Sequence, residues 1–252
     1  MKSSERQNLI LSILKGRESI SVSELIEMVP ASPATIRRDI VELSDTGVIR
    51  RTHGKVLRGD GHRAPEYEMR DTVQNEEKQL IGKFAASLVK ENDTIFIDAG
   101  TTTLAMAQHL KPLKKLCVIT NSIPIAEELN GSDLNVFMPG GLVEDMCVAD
   151  FNTVQYLAEH IADKAFIGAS GVRGLEGLTV SSSLQFAVKR QMVASAREVY
   201  ALLDSEKFHI TGVSLFARFK ELTGIVTTYP IKNQDLLKVL EQNHVKVFYA
   251  NQ

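Results

Sequence analysis

The chain predicts an α/β protein in two unequal units, a small cationic one at the amino end and a larger, mostly parallel α/β domain behind it. Three observations predict this: a capped helix with two arginines at residues 32–40, strands and helices that alternate from residue 76 onward, and a polar, glycine-containing stretch between the two. The 252 residues, 44% hydrophobic and 24% charged, are an ordinary globular composition. The expected boundaries are residues 1–58, a linker over 59–75, and a second domain over 76–252.

In the first unit, Ile10, Ile13 and Leu14 make an apolar stripe on a helix that follows Ser3 or Ser4 and ends at Gly16. The short alternating stretch Ile20, Ser21, Val22 comes next. Ser23 is placed to cap a second helix running to Met28, which Val29 and Pro30 stop. Ser32 then suits an N-cap and Pro33 the first helical position, where no backbone donor is missed. Ile36, Ile40 and Leu43 fall at i, i+4 and i+7 and must face a core. The opposite face carries Ala34, Arg38 and Val41, flanked by Thr35 and Arg37, so its amino-terminal part is small and cationic. Asp39, beside the apolar stripe, is expected to pair with an arginine.

Three helices in about 45 residues, followed by two short strands over residues 47–57 about a His53–Gly54 turn, read as a winged helix-turn-helix. Such a module reads DNA. The guanidinium forks of Arg37 and Arg38 suit guanine edges or phosphates, and Thr35 a phosphate or a thymine methyl. Arg50, Arg51, Lys55 and Arg58 fall on or beside the wing, where cations meet backbone phosphates and set position without reading sequence. Two arginines on a surface helix mean little alone; the flanking pattern gives them weight. Residues 1–58 hold ten Lys and Arg against seven Asp and Glu, hence +3, and the rest carries −5 of the total of −2. The basic charge is local, so a sequence pI near 6.3 does not exclude DNA binding.

Arg6, Leu9 and Ile13, then Ser32, Thr35, Ile36, Arg37, Arg38, Asp39 and Ile40, then Arg51, Thr52, His53 and Gly54 resemble the DNA-binding module of the DeoR family of bacterial transcriptional regulators. The resemblance implies DNA contacts by Ser32, Ala34, Thr35, Arg37, Arg38, Arg51, Thr52, His53 and Lys55. Lys55 departs from the family, which usually has a second glycine there.

No apolar run approaches the ~20 residues of a membrane span, and the first residues lack the apolar stretch of a signal peptide, so a cytoplasmic protein is expected. Cys117 and Cys147 lack metal-ligand spacing and read as buried free thiols. Neither a metal nor a cofactor is expected. Residues 58–65 read as linker, and residues 67–78 as a solvated connecting helix.

The second unit runs as helix 78–89, strand 94–97, a turn at Asp98–Thr103 opening a helix to Leu110, strand 116–120, helix 123–129, strand 135–138, then strand 165–168, helix 184–196 and strands 198–203, 224–227 and 245–248. In such sheets ligands bind beyond the carboxyl ends of the strands. Three of these ends, Gly100–Thr103, Asn121–Ser122 and Gly140–Gly141, carry glycine, amide or hydroxyl groups and should line one crevice. Gly100 admits an anion to the backbone, the threonine hydroxyls can donate to phosphate oxygens, and the next helix adds its positive end. The plainer alternative is that threonine-rich turns cap helices and nothing more.

Here too a resemblance appears. Asp98, Gly100, Thr101 and Thr102, then Thr120, Asn121 and Ser122, Gly140 and Gly141, Gly168 to Gly171, Gly177 to Thr179, and Asp204 to Lys207 resemble the effector domain of the same family, which is similar in fold to ribose-5-phosphate isomerase. Together the two resemblances cover nearly the whole chain. They imply a repressor of sugar metabolism, released from operator DNA by a phosphorylated sugar, that acts as a homodimer or homotetramer. The implied effector contacts are Asp98, Gly100, Thr101, Thr102, Thr103, Asn121, Ser122, Gly140, Gly141, Lys189 and Lys207. His209, Thr228 and the segment Ala149–Phe151 depart from the family pattern.

The competing expectation is a sugar-phosphate isomerase carrying an accessory winged-helix module, with Asp98, Asp204 and Glu206 as acids. Residues 167–170 align with the isomerase's pair of aspartates but hold Ile167 and Ser170, and its glutamate aligns with Lys189. Proton transfer beside a carbonyl needs those carboxylates. A binding protein with dismantled catalysis is the favoured expectation.

Overall fold

The computed structural model describes residues 3–14, 17, 19–45, 49–52, 54–58 and 75–250, and of residues 3–5, 8, 45, 50–52, 58 and 75 the backbone alone. The chain divides into two compact units, Met1–Pro65 and Glu66–Gln252.

In the first unit, α1 (Ser3–Leu14), α2 (Val22–Met28) and α3 (Pro33–Asp45) accompany a three-stranded antiparallel sheet ordered β1 (Ser19–Ser21), β3 (Lys55–Arg58), β2 (Ile49–Thr52). The core is the expected one: Ile10 and Leu14 from α1, Leu25 from α2, Ile36, Ile40 and Leu43 from α3, with Ile49 and Val56 from the sheet. Ile13 is only partly buried against it. The second helix is capped by Ser21, whose side chain accepts from the Glu24 amide, rather than by Ser23. The reason is that β1 ends at Ser21 and the Val22 amide is held by the Gly54 carbonyl at 2.9 Å, so the helix begins two residues early. Thr52 faces Lys55 across the wing turn, and Gly54 closes it at φ +81°. The expected end of α1 at Gly16, the turn residue His53 and nearly all of the linker fall outside the described residues.

The second unit is built on seven parallel strands in the order β15 (Lys246–Tyr249), β14 (Gly224–Thr227), β12 (Ala196–Leu202), β9 (Ala162–Ile167), β4 (Thr94–Ile97), β5 (Cys117–Thr120), β6 (Asn135–Phe137). These strands are runs of Ile, Val, Phe and Ala without polar alternation, because helices cover both faces of a parallel sheet. One buried cluster joins Ile81, Ala85 and Met106 from α4 (Asn75–Ser87) and α5 (Thr101–Ala107) to Ile95, Ile97 and Val118 of the sheet, and reaches Leu129 of α6 (Ile123–Leu129). The other joins Phe96, Ala165 and Ala201 to Leu157 of α7 (Phe151–Ala158), Val188 and Met192 of α8 (Ser183–Ala194), and Leu236 and Leu240 of α9 (Gln234–Gln242). Fold class and the main strands are those expected from the alternation.

Helices α7 and α9 were not anticipated, and neither were two smaller β features. A hairpin, β7 (Val143–Glu144) with β8 (Cys147–Val148), follows the Gly140–Gly141 turn, and an antiparallel sheet is ordered β10 (Gly171–Arg173), β11 (Gly177–Val180), β13 (Ser214–Arg218). Of the cysteines, both unpaired, Cys147 is buried but Cys117 is only partly so. Among the described residues no helix is long and apolar enough to cross a membrane.

Candidate nucleic-acid interface and sensor site

Helix α3 is fixed from both ends of its first turn. The Ser32 hydroxyl accepts from the Thr35 amide at 3.2 Å and lies 2.7 Å from the Thr35 hydroxyl, while the Ile36 amide reaches the Ser32 carbonyl at 3.0 Å. With Ile36 and Ile40 buried, Ala34, Arg37 and Arg38 stand on the exposed side. The Arg38 side chain is 83% exposed, and its Nε lies 3.4 Å from Glu42 Oε1. An exposed i, i+4 pair of that kind is worth only ~0.3–0.5 kcal/mol, too little to hold Arg38 from a stronger acceptor. Asp39 is buried and grips Arg6 of α1 in a two-pronged pair through Nε and Nη2. Glu42 also accepts from Gln7 at 2.6 Å. The expected pairing of Asp39 is thus met by an arginine of another helix, and its work is to lock α1 against the reading helix. Arg6, Ala34, Thr35, Arg38, Asp39 and Glu42 line an open groove of about 510 Å³ there. Lys55 is exposed on the wing; the side chains of Arg51 and Thr52, and the whole of His53, lie outside the described residues.

In the second unit the carboxyl ends of β4, β5 and β9 are tied together. Asn121 Oδ1 accepts from the Ala99 amide at 3.1 Å and Asn121 Nδ2 donates to the Val148 carbonyl at 3.1 Å. Ser122 caps α6 by accepting from the Ile125 amide. The Thr103 hydroxyl lies 2.6 Å from the Asp98 carbonyl and 2.8 Å from that of Gly100. With its single proton shared between main-chain oxygens and no surface exposed, Thr103 has nothing left to donate to a ligand, which corrects the role expected of it. Through these bonds Thr103, Asn121 and Ser122 fasten the loops to the fold. Thr101 and Thr102 differ, each 7% exposed and making no side-chain hydrogen bond among the described residues.

Gly140 and Gly141 meet the next loop rather than the Thr101 turn. Thr153 Oγ1 lies 3.2 Å from the Gly140 carbonyl, and Asp150 accepts from the Leu142 and Thr153 amides. A Cβ on Gly141, at φ +149°, would come within 2.5 Å of Asp150 Oδ1 and 2.7 Å of Thr153 Oγ1, so the turn requires glycine twice over.

Two charged clusters sit behind these loops. Asp98 and Lys189 form a buried ion pair, with Asp98 also accepting from the Gly168 amide at 3.1 Å and Lys189 Nζ donating to the Gly168 carbonyl at 3.0 Å. Lys189 Nζ stands 5.6 Å from the centre of the Phe216 ring. Burial pushes the Asp98 carboxyl up, against the pull of Lys189 and the two amides. Lys189, expected to be a cation for phosphate, is thus already matched by a carboxylate.

The second cluster was half foreseen. Asp204, 1% exposed, accepts from the Glu206 amide and lies 3.8 Å from Lys207 Nζ. Burial raises its pKa, while Lys207 and Lys78 oppose the rise. Lys78 and Glu77, in the first turns of α4, were missed. Glu77 accepts from the Ser205 amide at 2.9 Å, the Ser205 hydroxyl at 2.8 Å and the Thr228 hydroxyl at 2.8 Å. Nothing in a charged helix start foretells partners 128 and 151 residues away. Among the described residues no group of three His, Cys, Asp or Glu is placed to hold a metal.

The family model for the DeoR-like helix-turn-helix domain matches residues 6–60, and that for the DeoR C-terminal sensor domain matches residues 73–229. This chain belongs to the DeoR family of transcriptional regulators. The DeoR-family assignment is supported along the whole length: the chain is 31% identical to the HTH-type transcriptional repressor GlcR of Bacillus subtilis over 256 residues, covering 100% of this chain and 98% of that one. It is 33% identical to the HTH-type transcriptional regulator GolR of Listeria innocua, covering 98% of each. A lactose phosphotransferase system repressor of Staphylococcus epidermidis is 30% identical, over 94% of this chain and 95% of its own. The ribose 5-phosphate isomerase A of Methanocaldococcus jannaschii aligns over 53% of this chain and 54% of its own, at a TM-score of 0.39 and 19% identity. GlcR, GolR and the lactose phosphotransferase system repressor are named as repressors or regulators, and this DeoR-family chain is a DNA-binding regulator rather than an enzyme.

Proposed function

We propose that the chain is a cytoplasmic repressor of a carbohydrate transport or catabolism operon, with residues 1–58 gripping operator DNA and residues 76–252 sensing a phosphorylated sugar that releases it. The observation that carries the reading is the face of α3: Ala34, Arg37 and Arg38 turned to solvent over a core that Ile36, Ile40 and Leu43 fix from behind. Arg37 and Arg38 read base edges in the major groove, Ser32 and Thr35 bond phosphate at the helix start, and the wing residues Arg51, Thr52, His53 and Lys55 hold backbone phosphates.

In the sensor domain the hydroxyls of Thr101 and Thr102 and the backbone at Gly100 are the groups offered to a sugar phosphate, with Lys207 supplying charge. Asp98, Asn121, Ser122, Gly140 and Gly141 set the shape of the crevice. Lys189 neutralises Asp98, whose bare carboxylate would repel an anion. The names of the lactose phosphotransferase system repressor and of the transcriptional repressor GlcR support a sugar-linked operon.

The protein acts as a symmetric homodimer or homotetramer, since paired half-sites need paired readers. Ligand loosens DNA by binding one arrangement of the assembly better than the other. A gel-shift assay with the DNA upstream of the neighbouring operon, repeated with a panel of sugar phosphates, tests the whole scheme. Retarded DNA that one phosphate sets free is the expected result; unaltered mobility at low salt eliminates the reading.

A further inference from the structure

Twelve large apolar side chains are exposed among the described residues, and six of them, Phe137, Met138, Leu142, Val143, Met146 and Phe151, fall within fifteen consecutive positions. The fold keeps them close. Strand β6 is the end strand of the seven-stranded sheet, the β7–β8 hairpin follows the Gly140–Gly141 turn directly, and Leu142 is bonded to both Ala149 and Asp150, which brings Phe151 beside the hairpin. At exposures of 37% to 77% they leave on the order of 600 Å² open to water. Summed, that compares with the ~800 Å² that each partner gives to a standard interface. On its outer side β6 pairs with no described strand, and it carries no lysine to guard that edge.

From this we infer that the face formed by the β6 edge, the β7–β8 hairpin and Phe151 is where a second copy of this chain docks. Charge argues against DNA and an anionic membrane as occupants: residues 135–151, which make the face, contain Glu144, Asp145 and Asp150 and no Lys or Arg. A second copy needs no opposite charge, because two-fold contact is centred on the apolar side chains. The inference rests on the regulator reading above through its need for paired DNA readers. It adds where the pairing occurs, directly after the Gly140–Gly141 turn of the proposed effector crevice.

Sedimentation of the full chain at micromolar concentration should show an assembly. The double variant Val143→Asp/Phe151→Asp should fall to half the wild-type mass or less with unchanged circular dichroism, and Leu175→Asp, exposed but outside the face, should keep the wild-type mass. Should the double variant fail to fold, hydrogen exchange of the wild type on dilution decides, since amides at 135–151 must gain protection only when assembled. An unchanged mass in the folded double variant, or protection gained elsewhere, overturns the inference. A wild type that retards DNA while remaining a monomer also overturns it and leaves the regulator reading standing; one that assembles through this face but ignores DNA does the reverse.

Discussion

Arg38 and Lys55 lie on different elements of the first unit and should fail differently. Replacing Arg38 with alanine removes the exposed fork proposed to read base edges and should cost ~1–3 kcal/mol on the preferred site while sparing others, whereas Lys55→Ala should weaken every sequence alike and reduce the salt slope by ~1. Binding isotherms on specific and scrambled DNA across a salt series check this, and equal losses on both would refute the division of labour. In the sensor domain, Lys189→Met strands the buried Asp98 carboxylate and should destabilise the fold by about 3–5 kcal/mol in urea unfolding, while Lys189→Met combined with Asp98→Leu should recover most of it. Glu77 has its own pH signature. Burial pushes its carboxyl up, but the Ser205 amide, the Thr228 and Ser205 hydroxyls and Lys78 outweigh that and hold it below its ordinary value. A lowered pKa in the folded state means stability that is present above the unfolded value of ~4.3 and lost as pH falls through the folded one. Glu77→Gln should therefore destabilise the protein at pH 7, by about 1–3 kcal/mol, with the gap to wild type closing in acid. A gap that stays constant with pH would show that the carboxylate charge is not involved.

Helix α3 was legible in the sequence because every cue agreed: a serine cap, a proline, a 3.6-residue apolar period and an outward cationic face. Helix α2 was misplaced by two residues because Ser21 and Ser23 are equally good caps locally, and the choice was made by β1 pairing with β3, a contact between residues 19–21 and 55–57. The parallel strands were readable as apolar runs, whereas β7, β8 and β10 are two or three residues long and carry no period to detect. Of the strand ends that carry glycine and hydroxyl residues, those of β4 and β5 are joined by the Asn121–Ala99 bond, and the Gly140–Gly141 turn is held by Asp150 and Thr153. The sequence did not show that Thr103 and Asn121 spend their hydrogen bonds inside the fold, since that depends on where Gly100 and Val148 lie. Gly141 ties these elements together: Gly141→Ala drives a Cβ into the Asp150 cap of α7 and should lower stability by about 1–3 kcal/mol, read from a thermal melt that the same change at Gly140, with open space around it, shifts far less.

The molecule as a whole carries +3 on residues 1–58 and −5 on the rest, so the charge that answers to DNA phosphates is confined to the amino end. DNA affinity should fall steeply from low to physiological salt, in proportion to the phosphates neutralised, and the isolated first unit should retain that slope while losing the affinity that pairing confers. Asp98 and Lys189 lend the sensor domain a further property. Because each already has its counterion, the phosphorylated sugar proposed above would gain only the difference between its own contacts and the pairings it disturbs.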